Sequence, residues 1–268
     1  MTIRIDRDGE TTIVTIDRRE ARNAVDPATA EALFRAFVDF DRDDGAKVAV
    51  LTGAGGAFSA GFDLKHAASA IGPEWFAEHD LDASFDGRDD RPRKGPMGPT
   101  RLTLSKPVIA AISGPAVAGG MELALWCDMR VMERTAYMGV YCRRFGVPLI
   151  DGGTVRLPRI VGHGRAMDLI LTGRQIEAEE CHEWGLANRL CDEGKALETA
   201  LELARDLARF PQSCMRADRI SAIRQWSLGP EAALANEWRS AEAFRKEGQA
   251  GAARFASGKG RGGDFGAF

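Results

Sequence analysis

The stretch that most restricts how this chain can fold runs from Pro107 to Cys127, PVIAAISGPAVAGGMELALWC, where Glu122 is the only formal charge. A run this apolar is long enough to raise the question of a membrane span. Pro115, Gly119, Gly120 and Glu122 break it, and lipid tolerates neither interrupted backbone nor a bare carboxylate. The alternative is soluble: a buried strand over KPVIAAISG (106–114), a helix opened by glycines 119 and 120, and a returning strand over DMRVME (128–133). Buried strands alternating with helices make an α/β fold. The carboxylate then needs a partner, a neutral form or a job, because burying it unpaired is costly. The partner would be a buried arginine such as Arg130; the job would be catalysis.

The rest of the chain repeats the strand–turn–helix theme without a fixed sequence period. Ile3 and Ile5, then Ile13, Val14 and Ile16, flank RDGE and predict a β-hairpin turning at Asp8-Gly9. Asp26 followed by Pro27 is an N-cap with proline at the first helical position. Ala30, Leu33, Phe34, Phe37 and Val38 continue at helical spacing, which predicts a helix over 27–42 ended by DDG. KVAVLTG (47–53) is a buried strand. From His66 to Thr100 the apolar period is lost, and FDGRDDRPRKGPMGPT reads as an exposed, mobile loop beside the site. Trp75 and Phe76 in this region are lid or packing residues. Beyond Asp192 the pattern is helical over 195–209, about 213–226, and 230–256. The glycine-rich tail from Ala256 is expected to order only by docking on a neighbour.

The formal net charge of −3 gives no broad basic footprint, which argues against nucleic acid as a partner. The five cysteines are scattered without CxxC spacing, so neither zinc nor a disulfide framework is implied, and a cytoplasmic setting is expected. The opening MTIRIDRDGE lacks the apolar core of a secretory signal. His66, His79, His163 and His182 have no metal-ligand spacing, so no metal is expected.

Two segments combine small residues with a chain reversal: SAGFD (59–63) and PAVAGGMEL (115–123). Missing side chains admit a ligand close to backbone, and free N–H groups at a helix start favour negative charge. Two such N–H groups converging on one point make an oxyanion hole. Taken singly, each turn could equally serve tight strand–helix packing.

Taken together, NAV (23–25), LTGAGGAFSAGFDLK (51–65), KPVIAAISGPAVAGGMELALWCDMRV (106–131) and GGTVRLPRIVGHGRAMDLILTGRQIEAEECHEWGLANRL (152–190) resemble the enoyl-CoA hydratase/isomerase, or crotonase, family. The resemblance covers most of residues 10 to 195. It implies a ClpP/crotonase-like spiral of ββα units over 1–195, with a C-terminal helical region over 196–268 that drives homotrimer formation, often as a dimer of trimers. It implies an acyl-CoA thioester as substrate, with no separate cofactor. The thioester oxygen would be held by the N–H groups of Phe62 and Gly119. The CoA moiety would lie along Arg22, Asn23 and Ala24, and along Ala60, Asp63, Leu64 and Lys65, largely through backbone contacts. Glu122 matches the first of the two hydratase glutamates.

The second glutamate is missing. Its place in AYMGVYCRRFGVPLIDGG (136–153) falls on Cys142. Arg143 or Arg144 beside it would favour a nucleophilic thiolate; a small buried core residue is the plainer reading. Asp151 is the better second acid, although N-capping the following helix would explain it as well. Three functions follow: hydration of a 2-enoyl-CoA with Asp151 as replacement; another reaction through the same enolate, such as isomerisation, C–C cleavage or thioester hydrolysis; or an acyl-CoA-binding scaffold without turnover.

Overall fold

The structure is a computed structural model that describes residues 2–70, 72–81, 85, 92–260 and 262. Residues 86–91 of the predicted loop, and 261 and 263–268 of the tail, lie outside these.

The chain opens with strands β1 (Ile3–Asp8) and β2 (Thr11–Ile16), paired antiparallel with Asp8 opposite Thr11. The turn residues are therefore Gly9 and Glu10, one position later than expected, with Gly9 in the left-handed region that such a turn requires. Helix α1 (Pro27–Arg42) has the predicted bounds, and the Asp26 side chain accepts a hydrogen bond from Thr29 N. Strands β3 (Val48–Gly53) and β4 (Val108–Ile112) join β2 in parallel. Between them lie two seven-residue helices, α2 (Leu64–Ala70) and α3 (Pro73–His79), in a stretch where the sequence shows no regular apolar period from His66 onward.

After β4 comes a three-residue strand β5 (Pro115–Val117) and then helix α4 (Gly119–Trp126). Next are β6 (Met129–Glu133), β7 (Tyr137–Gly139), a 3-10 turn at Tyr141–Phe145 and helix α5 (Gly153–Val161). Each of these passes places one strand in a six-stranded sheet and the next in a smaller sheet, then a helix. That is the predicted ββα spiral. Helix α6 (His163–Thr172), β8 (Gln175–Glu177), α7 (Ala178–Glu183) and β9 (Arg189–Cys191) complete it. The large sheet has the order β1-β2-β3-β4-β6-β9, the small one β5-β7-β8. A single bridge from Ser59 to Ala116 extends the small sheet back to the first pass.

Why the apolar runs are continuous is clear from the packing. In β3, Ala49 and Leu51 face a core shared with α1 and α4, whereas Val48 and Val50 face the other way. In β4, Ala110 and Ile112 face the first core, and Ile109 and Ala111 the second. Both faces are buried, so no polar alternation is possible. The second face is closed by helix α8 (Ala196–Arg209), through the stripe Ala196, Ala200, Ala204 and Ala208. Alanine at every fourth position lets the helix lie close on the β-branched side chains of the sheet. The 195/196 boundary thus falls at the start of a helix that packs on the core sheet. Helices α9 (Gln212–Arg224) and α10 (Pro230–Trp238), a π-turn at Phe244–Gly248 and a last helix at Gln249–Ala256 follow. No helix among the described residues is long and apolar enough to cross a membrane.

Candidate active site

The first small-residue turn is stitched together by Asn23. Its side chain is fully buried; Nδ2 donates to Ala54 O (2.8 Å) and Ala57 O (2.6 Å), and Oδ1 accepts from Arg18 N. Ser59 Oγ donates to Asn23 O at 2.8 Å, and Gly61 N donates to Ser59 Oγ at 3.1 Å. Val25 N donates to Gly61 O and Asp63 N to Val25 O, so the backbone on both sides of Phe62 is tied to segment 22–25. Arg22 and Asn23 accordingly sit in the left-handed region, at φ 50° and 58°.

The second turn lies against the first. Val117 N donates to Ser59 O and Ala118 N to Gly139 O. Ala118 holds φ 54° and ψ −126°, a conformation that strains any residue with a Cβ. Gly119 then opens α4. A Cβ placed on Gly61 would stand 2.8 Å from Gly119 N, so the two turns meet there without room for a side chain. Neither Phe62 N nor Gly119 N donates to an acceptor among the described residues. Both residues line one cavity of about 480 Å³.

The walls of that cavity are mostly apolar, with Phe62, Trp75, Phe76, Met97, Val147 and Ile150 among them. Trp75 meets Phe62 edge-on at 5.8 Å and stacks on His79 at 4.4 Å. Helices α2 and α3 therefore roof the cavity. Two cues could have located them: Pro73 at a helix start, and Asp63, whose Oδ1 accepts from Lys65 N and His66 N as a cap.

Three of the lining residues are the predicted Glu122, Cys142 and Asp151. Glu122 is 3% exposed. Its Oε1 accepts from Asp151 N (2.9 Å) and Gly153 N (2.8 Å). Arg130 is not its partner: that guanidinium donates to the carbonyls of Leu186, Ala124 and Cys127 instead. Asp151 does not cap α5. The cap position is Gly152, with no side-chain bond, and Asp151 turns back to the 95–101 segment. Its Oδ1 accepts from Met97 N at 3.0 Å and from the Thr100 hydroxyl. Arg156 from α5 donates to Asp151 O (2.9 Å) and Thr100 O (2.6 Å). Among the described residues no donor reaches Glu122 Oε2 or Asp151 Oδ2. Each carboxylate thus has one oxygen anchored and one without a donor among the described residues, and both residues line the cavity.

Burial first, and the facing Asp151 carboxylate second, push Glu122 up to about 8, against the pull of the two N–H bonds. Burial likewise pushes Asp151 up, against the Thr100 hydroxyl and Met97 N–H and the charges of Arg101 and Arg156. Burial and Glu122 also push the Cys142 thiol up, and Arg143 gives its Nε to Ile170 O. This favours the plainer reading of Cys142 as a small buried wall residue over the nucleophilic thiolate.

The expected CoA-contacting residues divide. Arg22, Ala60 and Leu64 line the cavity. Asn23 and Asp63 have their side chains committed to the turn, Asp63 through an ion pair with Arg18 at 3.1 Å. Ala24 is buried, with its carbonyl taken by Arg18. Lys65 is exposed on α2, outside the cavity wall. Thr100 and Met97 were missed because nothing in their local pattern ties them to Asp151 across 51 and 54 positions, and Arg156, five positions away, was missed as well.

The enoyl-CoA hydratase/isomerase family model matches residues 7–257. Enoyl-CoA hydratase EchA19 of Mycobacterium tuberculosis is 35% identical over 234 residues, covering 85% of this chain and 82% of that one. Carnitinyl-CoA dehydratase of Salmonella arizonae is 38% identical over 213 residues, covering 78% and 75%. The crystal structure of an enoyl-CoA hydratase from Mycobacterium tuberculosis H37Rv superposes with a TM-score of 0.83 at 33% identity, over 96% of both chains. In sequence and in fold, the chain belongs to the enoyl-CoA hydratase/isomerase family.

Proposed function

We propose that this protein is an enoyl-CoA hydratase that adds water across the double bond of a 2-enoyl-CoA, with Asp151 in place of the second glutamate. One observation carries the reading: two buried carboxylates, each anchored through a single oxygen, line a cavity that also carries two amide N–H groups unclaimed among the described residues. The N–H groups of Phe62 and Gly119 hold the thioester oxygen, where negative charge grows as water adds to C3. Two close buried acids resist double ionisation, so at neutral pH the pair carries one proton. The ionised member takes a proton from water as its oxygen bonds to C3. The protonated member delivers its proton to C2 as the enolate collapses. Water is consumed, the C2–C3 π bond is lost, and no electron is gained or lost. Every step uses this chain's own groups and water, so no further cofactor enters the proposal.

Hydration of crotonyl-CoA by the wild type, Glu122→Gln and Asp151→Asn tests this. Loss of at least about 100-fold in each variant is expected, the usual contribution of a positioned acid or base. Full activity in both refutes the assignment. Cys142 at the second glutamate's place favours a second reading, in which the same enolate is used for isomerisation, C–C cleavage or thioester hydrolysis. Mass spectrometry of products from a panel of acyl-CoA esters separates the two, because only hydration leaves an intact CoA ester heavier by one water.

The assembly belongs to the same proposal. Trp226, Leu234, Trp238, Phe244 and Phe255 stand exposed on the C-terminal helices, which supports a homotrimer or a dimer of trimers built through that region. All five cysteines are free, in keeping with a cytoplasmic location.

A further inference from the structure

The segment GPMGPTR (95–101) reads as part of a polar loop and has no role in the reaction as drawn. Its geometry is nevertheless specific. Gly95 and Gly98 exchange a reciprocal pair of backbone hydrogen bonds, each 2.8 Å. This tight loop aims Met97 N–H and the Thr100 hydroxyl at the same oxygen, Asp151 Oδ1. A Cβ on Gly95 would strike Thr100 Oγ1 and stand 2.8 Å from Asp151 Oδ1, so the loop fits against the carboxylate with no slack. A Cβ on Gly98 would stand 2.6 Å from Ala30 O, which fixes the loop's other side on α1. Thr100 is 1% exposed and Asp151 4%. Behind them Arg156 spans both residues through their carbonyl oxygens, locking the loop to the turn before α5.

We propose that Thr100 is the positioning residue of Asp151: by occupying Oδ1 together with Met97 N–H, it turns Oδ2 into the cavity and makes Oδ2 the atom that exchanges the proton. The inference rests on the assignment of Asp151 as the second acid. The two oxygens of a carboxylate are chemically equivalent until something distinguishes them, and here two donors on one side do so. A hydroxyl donated to Oδ1 also stabilises the anion, so its removal raises the proton affinity of Asp151. The other charged groups that act on this carboxylate are Glu122 from α4, Arg156 from α5 and Arg101 from the 99–101 turn, and Cys142 from the 141–145 turn lines the same cavity. All of them stay in place when Thr100 is changed.

The test compares the wild type with Thr100→Val, Thr100→Ser and Asp151→Asn, with Thr100→Ala as a less bulky deletion should the valine variant not fold. Protein labelled with [4-13C]aspartate gives the titration of Asp151 by NMR, assigned by the resonance missing in Asp151→Asn; crotonyl-CoA hydration gives kcat and KM. In Thr100→Val the Asp151 midpoint is expected to rise by about one pH unit, with kcat falling at least tenfold, KM changing less than threefold, and Thr100→Ser restoring both. An unmoved midpoint, or a serine variant no better than valine, overturns the role of Thr100. If Asp151→Asn keeps full activity while the midpoint still moves, the assignment of Asp151 as second acid fails and the hydrogen bond is structural only.

Discussion

Glu122 should destabilise the folded protein at the pH where the enzyme works, and Glu122→Gln should reveal it. The carboxyl has its ordinary value of 4.5 when unfolded and about 8 when folded, because burial and Asp151 oppose its charge. Between those limits the folded chain holds a proton that the unfolded chain has released. Unfolding therefore releases a proton, and stability falls as pH rises, by about 1.4 kcal/mol for each pH unit. Below 4.5 the acid is neutral in both states and has no such effect; above 8 the effect has reached its limit of about 5 kcal/mol. Glutamine keeps the oxygen that accepts from Asp151 N and Gly153 N and removes the titration. Urea unfolding of both proteins at pH 5.5 and 7.5, at one protein concentration, reads the difference directly. The variant's advantage should widen by about 3 kcal/mol between the two pH values. Other titrating groups are common to both proteins and largely cancel. A stability gap that is flat or narrows with pH would refute the claim that Glu122 is held protonated by its surroundings.

Further outcomes follow from the turns and the C-terminal helices. Gly61→Ala places a Cβ against Gly119 N, so crotonyl-CoA hydration should fall about 100-fold or more while the circular dichroism spectrum is kept. Asn23→Ala leaves the carbonyls of Ala54 and Ala57 without a donor and puts a Cβ-bearing residue at φ 58° without its side-chain bonds; a loss of about 3 kcal/mol or more should lower Tm by roughly 10 °C. Trp238→Asp puts a charge on a tryptophan that is 79% exposed, and light scattering should show the proposed trimer replaced by monomer; an unchanged assembly would refute the proposal that this region builds it.

How much of this was legible in the sequence depended on how local the determinant was. Helix α1 was read to its ends because Asp26 and Pro27 form a cap within two residues. Strands β3 and β4 were read because burial on both faces leaves an unbroken apolar run. Helices α2 and α3 are only seven residues each, too short to display a full apolar period, and were lost in a polar context. Asp151 read equally as a second acid or as a helix cap, because it precedes Gly152-Gly153 and α5. Its actual partners sit 51 and 54 positions away in a segment of glycine and proline that carries no periodic signal. Asn23 was expected at the CoA on the strength of the family resemblance, and its side chain makes three hydrogen bonds that fix the turn, which no local pattern announces. The pairing of an acid with a cavity is a tertiary fact, and only the unusual placement of Glu122 announced it in advance.

The alanine stripe of α8 has a consequence for how the protein is made. Val48 and Val50 leave the ribosome early, yet the helix that covers them ends at Arg209. At elongation speeds of roughly 5–20 residues per second, that side of the nascent sheet stays wet for on the order of ten seconds. For that interval it offers Val48, Val50, Ile109 and Val131 as a sticky β surface that nothing later in translation has yet reached. A chain released just short of residue 196 would keep that surface permanently, which makes the closing helix as much a guard against aggregation as a piece of the architecture.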